Sequence, residues 1–392
     1  MRCAEREHHD TPRGRGSAVR GPAGGGARVR AALAAWPVLA VAACGDSPTE
    51  PRLRPPIEPP PDLAAVTFTA QGRPTAPYVL LEISHGDGFR GFVAVNAGGQ
   101  PVWFFRTEGG PVGFTRRQNG NFVFLDNARG LLEVTVEGEV VRELPQAARP
   151  GRFIHHDVVA TPHNTILFIA EDVQPWHDAP LTGEAIWEWT PETGAVVKRW
   201  SSFDHLDPDV DRGPRSRPED WLHANALHIG PRGNVLVSFH FLDQVVSIAP
   251  GFGGLEWRLG GVNATLPVDD PFSGQHTPAE VGPGRVLLFD NGYAREAERY
   301  SRAIEFELDG GSARKVWEWR PARDNWARII SSARRLPNGN TLVAFGTAEN
   351  AALGTTGPIE VYEVTRAGDV VWHLELGGQV GAMYRATPLF DF

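Results

Sequence analysis

The chain has 392 residues, of which 41% are hydrophobic and 22% are charged, with 44 Gly, 33 Pro and a formal net charge of −9. The apolar fraction suffices for a large core, and the many Gly and Pro residues favour a turn-rich architecture over long helices. The acidic balance argues against a protein that binds nucleic-acid phosphates, and the two cysteines, Cys3 and Cys44, exclude a disulfide framework and a cysteine-ligated metal site.

The sequence of the first part of the chain is typical of a targeting signal followed by a tether. An Arg- and Gly-rich stretch precedes a run of small apolar residues, Ala31 to Ala43, which is too short to span a membrane. A basic region, a short apolar region and small residues before a cleavage site are typical of a secretory signal. The run Val41-Ala42-Ala43-Cys44 resembles a bacterial lipoprotein box, which implies that Cys44 becomes lipidated. The alternative is a buried helix with an incidental cysteine.

We therefore predict a lipoprotein signal peptide over residues 1–43 and a Pro-rich, semi-rigid tether over residues 44–62. The lipid on Cys44 would anchor the protein to a membrane. The remainder, residues 63–392, would then lie in the cell envelope, outside the cytoplasm.

Residues 63–392 contain a repeat of β-forming segments. Four copies end near Trp200, Trp257, Trp317 and Trp372, at intervals of 57, 60 and 55 residues. Each copy consists of runs of five or six β-forming residues separated by Gly, Asn or Pro, which is the pattern of strands joined by hairpin turns. Copies of this length accommodate about four strands, and six copies are recognisable. The sequence predicts an all-β fold, a six-bladed β-propeller, with the Trp side chains between blades.

The two ends of the repeat region complement each other. The first copy, which starts at Tyr78, has no clear innermost strand, whereas a β-forming segment beginning at Met383 follows the last copy. We expect this C-terminal strand to complete the first blade and close the ring, which removes exposed strand edges.

Polar residues recur where the innermost strands begin. They lie 11 residues before a leucine of the next strand, at His156, Asn225, His276 and Ser331, and His155 and His223 stand beside them. Because the innermost strands line the central channel, we expect these side chains to converge, with no acidic partner among them. Such a cluster suits a Zn²⁺ or Cu²⁺ ion, an anion held by N–H groups, or a nucleophilic histidine, and the residues alone leave these alternatives open.

Five short motifs together resemble a known enzyme family. They are His155-His156-Asp157, Asp220-Trp221-Leu222-His223-Ala224-Asn225, Gln275-His276-Thr277, Ser301-Arg302-Ala303 and Tyr384-Arg385-Ala386. In this order, across roughly residues 75–390, they resemble the bacterial arylsulfate sulfotransferases (ASST), which act without PAPS. The chain has neither the N-terminal β-domain nor the disulfide of the enterobacterial type, so it resembles a shorter, lipoprotein-type branch.

This resemblance implies a six-bladed propeller that moves a sulfuryl group from a phenolic sulfate ester to a phenolic acceptor. The cycle would be ping-pong, through a sulfohistidine, with no cofactor and no metal. His276 would be the nucleophile, and His156 and His223 would complete the catalytic set, with Asn225 beside them to hold the sulfuryl oxygens. The partners would be aryl sulfates and phenols, and no nucleic acid.

One departure from the family pattern concerns the substrate site. The family typically has Ser-Ser-Arg after the blade-four strand, whereas this chain has Ser238-Phe239-His240, so His240 takes the place of a sulfate-facing arginine. We expect His155, His240, Arg302 and Arg385 to contribute to substrate binding, the two arginines supplying permanent charge. The alternative function is a non-catalytic envelope propeller that binds a small anion, a metal or a protein partner.

Overall fold

Six antiparallel sheets follow one another along the chain and form the blades of a β-propeller. The computed structural model describes residues 53–146, 153–295, 297–347, 350 and 354–392. The predicted signal peptide, Cys44 and residues 44–52 of the predicted tether lie outside the described residues and stay predictions. No helix in the described ranges has the length and apolar character needed to cross a bilayer.

In chain order the strands are β1 (Val66–Gly72), β2 (Tyr78–Ser84), β3 (Arg90–Asn96), β4 (Pro101–Arg106), β5 (Pro111–Arg116), β6 (Phe122–Asp126), β7 (Gly130–Val134), β8 (Val140–Pro145), β9 (Ile154–Ala160), β10 (Ile166–Trp176), β11 (Ala179–Thr190), β12 (Ala195–Ser201), β13 (Ala224–Ile229), β14 (Val235–Phe239), β15 (Gln244–Ile248), β16 (Leu255–Leu259), β17 (His276–Gly282), β18 (Arg285–Asp290), β19 (Arg302–Asp309), β20 (Ser312–Trp319), β21 (Ser332–Arg335), β22 (Thr341–Phe345), β23 (Ile359–Val364), β24 (Val370–Gly378) and β25 (Ala382–Leu389). The helical segments of the described ranges are α1 (Pro61–Ala64) and three single 3₁₀ turns, Ser202–Asp204, His240–Leu242 and Pro250–Phe252.

Four blades consist of consecutive strands: β5–β8 form blade 2, β9–β12 blade 3, β13–β16 blade 4 and β17–β20 blade 5. The other two blades share the ends of the chain. In blade 1 the order is β25-β2-β3-β4, so the C-terminal strand is innermost, with Leu80 opposite Thr387. In blade 6 the order from the outside is β1-β24-β23-β22-β21. The six-bladed propeller and its closure by the C-terminal strand are confirmed.

Strand β1 is an addition that the repeat did not predict. It pairs antiparallel with β24, from Val66 opposite Gly378 to Gly72 opposite Trp372, and becomes a fifth, outer strand of blade 6. Its burial alternates weakly and no copy of the repeat resembles it, so the sequence offers little periodic signal. Blade 6 therefore carries a strand from the N-terminal side of the chain.

The core lies between neighbouring blades. The inner and middle strands are buried on both faces, as in β6 (Phe122–Asp126), and therefore read as continuous apolar runs. The outer strand β12 is largely exposed and carries Lys198 and Arg199. Trp372 is buried between blades 6 and 1, where its indole N–H donates to the carbonyl of Ala97 at 2.9 Å. This is the inter-blade position expected for the repeated tryptophans.

Ring closure makes a prediction about stability. Deletion of residues 382–392 should lower the thermal midpoint by at least about 10 °C or cause aggregation, because it exposes the edge of β2 and empties the innermost position of blade 1. Deletion of residues 1–72 removes the more exposed β1 and serves as the matched control, with a smaller expected loss. Thermal unfolding followed by circular dichroism measures both. Equal losses would contradict a closing role for β25.

Candidate active site

One mouth of the central channel is lined by histidines. A cavity of about 310 Å³ is bounded by nine side chains: His156, His223, His240, His276, Tyr384, Phe241, Tyr293, Ile329 and Ile330. The four imidazoles come from blades 3, 4 and 5, where the innermost strands begin or the next strand ends. The cavity therefore combines a polar wall of ring nitrogens with an aromatic and aliphatic wall.

The imidazoles form a continuous arc. The ring centroids of His156 and His223 are 4.7 Å apart, those of His223 and His240 are 5.4 Å apart, and those of His240 and His276 are 5.6 Å apart. Tyr384 closes the arc, 6.1 Å from His156 and 6.3 Å from His276. Residues that are far apart in the sequence thus meet at one end of the channel.

The backbone at this mouth is locally irregular. His156 and His223 have φ values of 62° and 54°, and Thr277, which follows His276, has 48°. Left-handed conformations are uncommon outside glycine and cluster at functional sites. The pairing of β9 with β10, of β13 with β14 and of β17 with β18 also shifts register here. Bulges of this kind re-aim side chains at strand ends, which explains how three imidazoles enter one cavity.

His276 is held by Asn291, a residue that the sequence analysis missed. The amide nitrogen of Asn291 donates to the carbonyls of Ala327 and Ile330, at 2.6 and 2.8 Å. Its oxygen must therefore face Nδ1 of His276, 2.8 Å away, and accept a hydrogen bond from Nδ1–H. This fixes the Nδ1–H tautomer and leaves a lone pair on Nε2. The signal for Asn291 is a polar residue directly after the apolar strand β18.

Two carboxylates stand behind the histidines, contrary to the expectation that no acid would be present. Asp220 Oδ2 lies 2.7 Å from Nδ1 of His223, and Glu184 Oε2 lies 3.0 Å from Nε2 of His155. Asp220 belongs to the same sequence motif as His223, but only the turn between the two residues brings its carboxylate to the imidazole. Glu184 lies on β11 and has no sequence proximity to His155.

Burial keeps much of the cluster neutral. Burial lowers the pKa of His276 to about 3, although the hydrogen bond with Asn291 opposes this shift. Burial, together with neighbouring imidazoles, lowers the pKa values of His156 and His240 well below the usual range. For His155, burial is outweighed by the Glu184 carboxylate, so its pKa is raised. Positive charge is therefore disfavoured inside the cavity and favoured just behind it.

The other sequence-predicted site residues do not line the cavity. Asn225 is buried next to it, and its amide donates to the carbonyl of Gln275 at 2.9 Å. Arg385 is buried beneath Tyr384 and donates to Asp157 at 2.5 Å and to the carbonyl of Asn225 at 2.8 Å. His155 turns away from the cavity toward Glu184.

Arg302 is not brought to the cavity. Its guanidinium is only 3% exposed and contacts Asp270 and Glu318 at 2.7 Å and Asp290 at 2.9 Å. These carboxylates hold it at the start of β19, so it balances charge within blade 5. The expected contribution of Arg302 to substrate binding therefore has no support in its position.

His240 is packed tightly at the end of blade 4. Gly274, at φ +63°, allows this packing, since a Cβ at that position would lie 2.9 Å from Cε1 of His240. The ring also meets Tyr293, with centroids 5.5 Å apart. His240 therefore lines the cavity at the position where the resemblance places an arginine, as an uncharged ring.

Other sites in the described ranges differ in character. A larger cavity of about 690 Å³ lies at the opposite ends of β9 and β13, and it contains His163 and His228 without a clustered set of imidazoles. The one set of potential metal ligands found among the described residues is Glu360, His373 and Glu375, on blade 6. Neither coincides with the channel mouth.

Comparison with known proteins agrees with the fold and identifies a family. A model of the family Arylsulfotransferase (ASST) matches residues 69–384. A solved structure of a protein of unknown function from Bacteroides caccae is similar, with 17% identity and a TM-score of 0.55 over 81% of this chain and 100% of that one. At this identity the likeness shows the fold alone.

Other solved structures are less similar. A calcium-binding regucalcin from Agrobacterium tumefaciens has 13% identity and a TM-score of 0.44 over 83% of this chain and 99% of that one. A streptogramin B lyase has 11% identity and a TM-score of 0.41 over 78% and 72% of the two chains. No curated protein sequence matches the chain significantly.

The depressed pKa of His276 predicts a loss of stability in acid. The unfolded chain binds a proton near pH 6.5, whereas the folded chain does so only near pH 3, so the free energy of unfolding falls as the pH drops below about 6.5. From about pH 6.5 to pH 5, His276 alone should account for about 2 kcal/mol. Urea unfolding at both pH values should show that His276→Gln loses less stability than the wild type, by about this amount.

The control is His163→Gln, because His163 is exposed in the turn between β9 and β10. This variant should keep the wild-type dependence on pH. A His276→Gln variant with the same pH dependence as the wild type would contradict the neutral, buried state of His276.

Proposed function

The chain belongs to the arylsulfotransferase family, and from this premise we propose that it transfers a sulfuryl group from an aryl sulfate to a phenol through a covalent intermediate on His276. The family supports aryl sulfotransferase activity in general, with aryl sulfates and phenols as substrates. The observation that carries the finer proposal is the tautomer of His276. Asn291 accepts from Nδ1–H, so the lone pair on Nε2 is available at the cavity.

A neutral imidazole in this position is an effective nucleophile. In the described part of the chain, the hydrogen bonds of His276 involve Nδ1 and leave Nε2 without a partner. Its low pKa keeps the ring unprotonated at physiological pH. Attack of Nε2 on sulfur forms the S–N bond while the S–O bond to the phenol breaks. The resulting N-sulfo ring is cationic, and Asn291 then accepts a charge-assisted hydrogen bond from Nδ1–H.

The sulfuryl oxygens require donors near His276. As in phosphoryl transfer, a loose transition state places most of the catalytic burden on positioning and charge stabilisation. His156 and His223 lie in the same cavity, and Asp220 contacts Nδ1 of His223 and orients that ring. We assign His156 and His223 to the sulfuryl oxygens and the phenolic oxygen. Asn225 supports them from beneath by joining β13 to the strand of His276.

The apolar wall suits the aryl ring. Phe241 stacks on His223 with centroids 4.7 Å apart, and Tyr293, Ile329 and Ile330 face the same cavity. The guanidinium groups of Arg328 and Arg215 lie over Tyr293, at 4.1 and 4.6 Å from its ring centroid. Flat apolar walls beside a polar floor match an aromatic alcohol esterified with sulfate.

The test uses the full chain with 4-nitrophenyl sulfate, phenol and no nucleotide cofactor. We expect release of nitrophenolate, formation of phenyl sulfate and, when phenol is left out, a gain of one SO₃ on the peptide that contains His276. His276→Gln should reduce turnover by more than about 1,000-fold and abolish the mass gain, because the nucleophile is lost. Absorbance and mass spectrometry are the measurements.

His163→Gln, on the opposite side of the ring, is the control and should retain wild-type turnover. Turnover that persists in His276→Gln would rule out the sulfohistidine. Tight binding of the donor without turnover by the wild type would favour the alternative of a non-catalytic binding protein.

A further inference from the structure

We infer that Glu184 and His155 form a proton relay behind His156, through which His156 protonates the departing phenolate and later deprotonates the acceptor phenol. The inference rests on the proposed function and assigns roles that the family resemblance does not supply. In this arrangement His155 is a positioning residue that acts through His156, and it does not bind the substrate.

The relay is a continuous chain of short contacts. Glu184 Oε2 is 3.0 Å from Nε2 of His155, and Nδ1 of His155 is 2.7 Å from Nδ1 of His156. The other oxygen of Glu184 accepts the backbone N–H of Ala224 at 2.8 Å, which fixes the carboxylate. Glu184 and His155 are 5% and 7% exposed, so these contacts are shielded from bulk water. In the described ranges, no other partner of the two Nδ1 atoms competes with this contact.

The short contact between the two Nδ1 atoms couples the protonation of the rings. A hydrogen bond between two nitrogens needs one proton, so only one of the two Nδ1 atoms carries it at a time. When His155 holds this proton, the proton of neutral His156 must be on Nε2, the nitrogen on the cavity side. When His156 holds it, Nε2 has a lone pair. The state of His155 therefore decides whether His156 is a proton donor or an acceptor toward the substrate.

The surrounding charges place the positive state on His155. His155 faces the carboxylate of Glu184, and the negative field of Glu171 and Asp220 acts in the same direction. Burial disfavours a charge on His156, and the electrostatic effects of His223, His155, His276 and the guanidinium of Arg385 act in the same direction. A proton that enters at Nε2 of His156 is therefore passed on, from Nδ1 of His156 to Nδ1 of His155.

Each proton that His155 and His156 give up in the first half of the cycle is regained in the second half. At the start His155 is an imidazolium paired with Glu184, and His156 has a proton on Nε2. As the S–O bond breaks, the phenolic oxygen takes this proton, and His156 receives the Nδ1 proton of His155. In the second half, Nε2 of His156 accepts the proton of the acceptor phenol as its oxygen attacks sulfur and the S–N bond breaks. The Nδ1 proton then returns to His155, which restores the starting state.

The decisive variant is Glu184→Gln. The amide oxygen of the new side chain can accept from Ala224 N–H, and its NH₂ can donate to Nε2 of His155, so both contacts persist without the charge. His155 then stays neutral and has no extra proton to supply. Because proton donation matters most for a poor leaving group, we expect turnover of phenyl sulfate to fall by about 100-fold or more, and that of 4-nitrophenyl sulfate by less than about 10-fold.

The ratio of the two losses separates a relay from a structural role. Misplacement of His156 by a local packing defect would reduce turnover of both donors by the same factor, and that result would overturn the inference. The matched control is Glu360→Gln, since Glu360 forms a similar pair with His373 at 3.1 Å on blade 6. In Glu360→Gln, the ratio of phenyl sulfate turnover to 4-nitrophenyl sulfate turnover should equal that of the wild type.

A second measurement does not depend on turnover. In ¹⁵N-histidine NMR spectra at neutral pH, His155 of the wild type should be protonated on both ring nitrogens, and Glu184→Gln should show a neutral His155. A neutral His155 in the wild type would refute the relay even if Glu184→Gln folds poorly. A wild type that transfers no sulfuryl group from either donor, yet has a charged His155, would refute the proposed function and leave the proton arrangement intact.

Discussion

A buried ion pair across the central channel connects the parts of this propeller. Arg385, on the closing strand β25, is 1% exposed and binds Asp157 of blade 3 and the carbonyl of Asn225 in blade 4. The carboxylate of Asp157 also accepts hydrogen bonds from the backbone N–H groups of Val158 and Leu227. Removing one partner of such a pair leaves an uncompensated charge in the interior, which is strongly destabilising. The strand that closes the ring therefore also fixes the blades that carry the histidines of the candidate site.

In the candidate site, burial determines the charge of the imidazoles, and specific hydrogen-bond partners determine which nitrogen carries the proton. Burial alone would give a set of neutral imidazoles with undefined tautomers. Asn291, Asp220 and Glu184 each contact one ring nitrogen of a different histidine, and each of these contacts specifies where a proton resides. The same residue type is thereby given different hydrogen-bonding partners at positions a few ångströms apart, and the three different roles that we propose for these histidines depend on those partners.

The fold and the centre of the site were predictable because equivalent positions of a repeat must converge in a ring. His156 and His276 occupy the same place in their blades, and the sequence shows this directly. The pairing of His155 with Glu184 was not predictable, since Glu184 lies on β11, 29 residues further along the chain, and no local pattern links the two residues. The position of Arg302 was not predictable for a related reason: its carboxylate partners are Asp290 and Glu318 on the two neighbouring strands and Asp270 in the loop before β17, and the repeat pattern specifies none of these pairs.

Strand β1 has a mechanical consequence. The chain enters the propeller at the outer edge of blade 6, where β1 pairs with β24, and only then crosses to blade 1. Tension applied to the polypeptide before Val66 therefore acts first on the hydrogen bonds between β1 and β24, at the outer edge of the ring. The innermost strands, which hold the imidazoles, would bear such a pull only after β1 had peeled away. Any attachment through the N-terminal side would in this way be insulated from the chemistry.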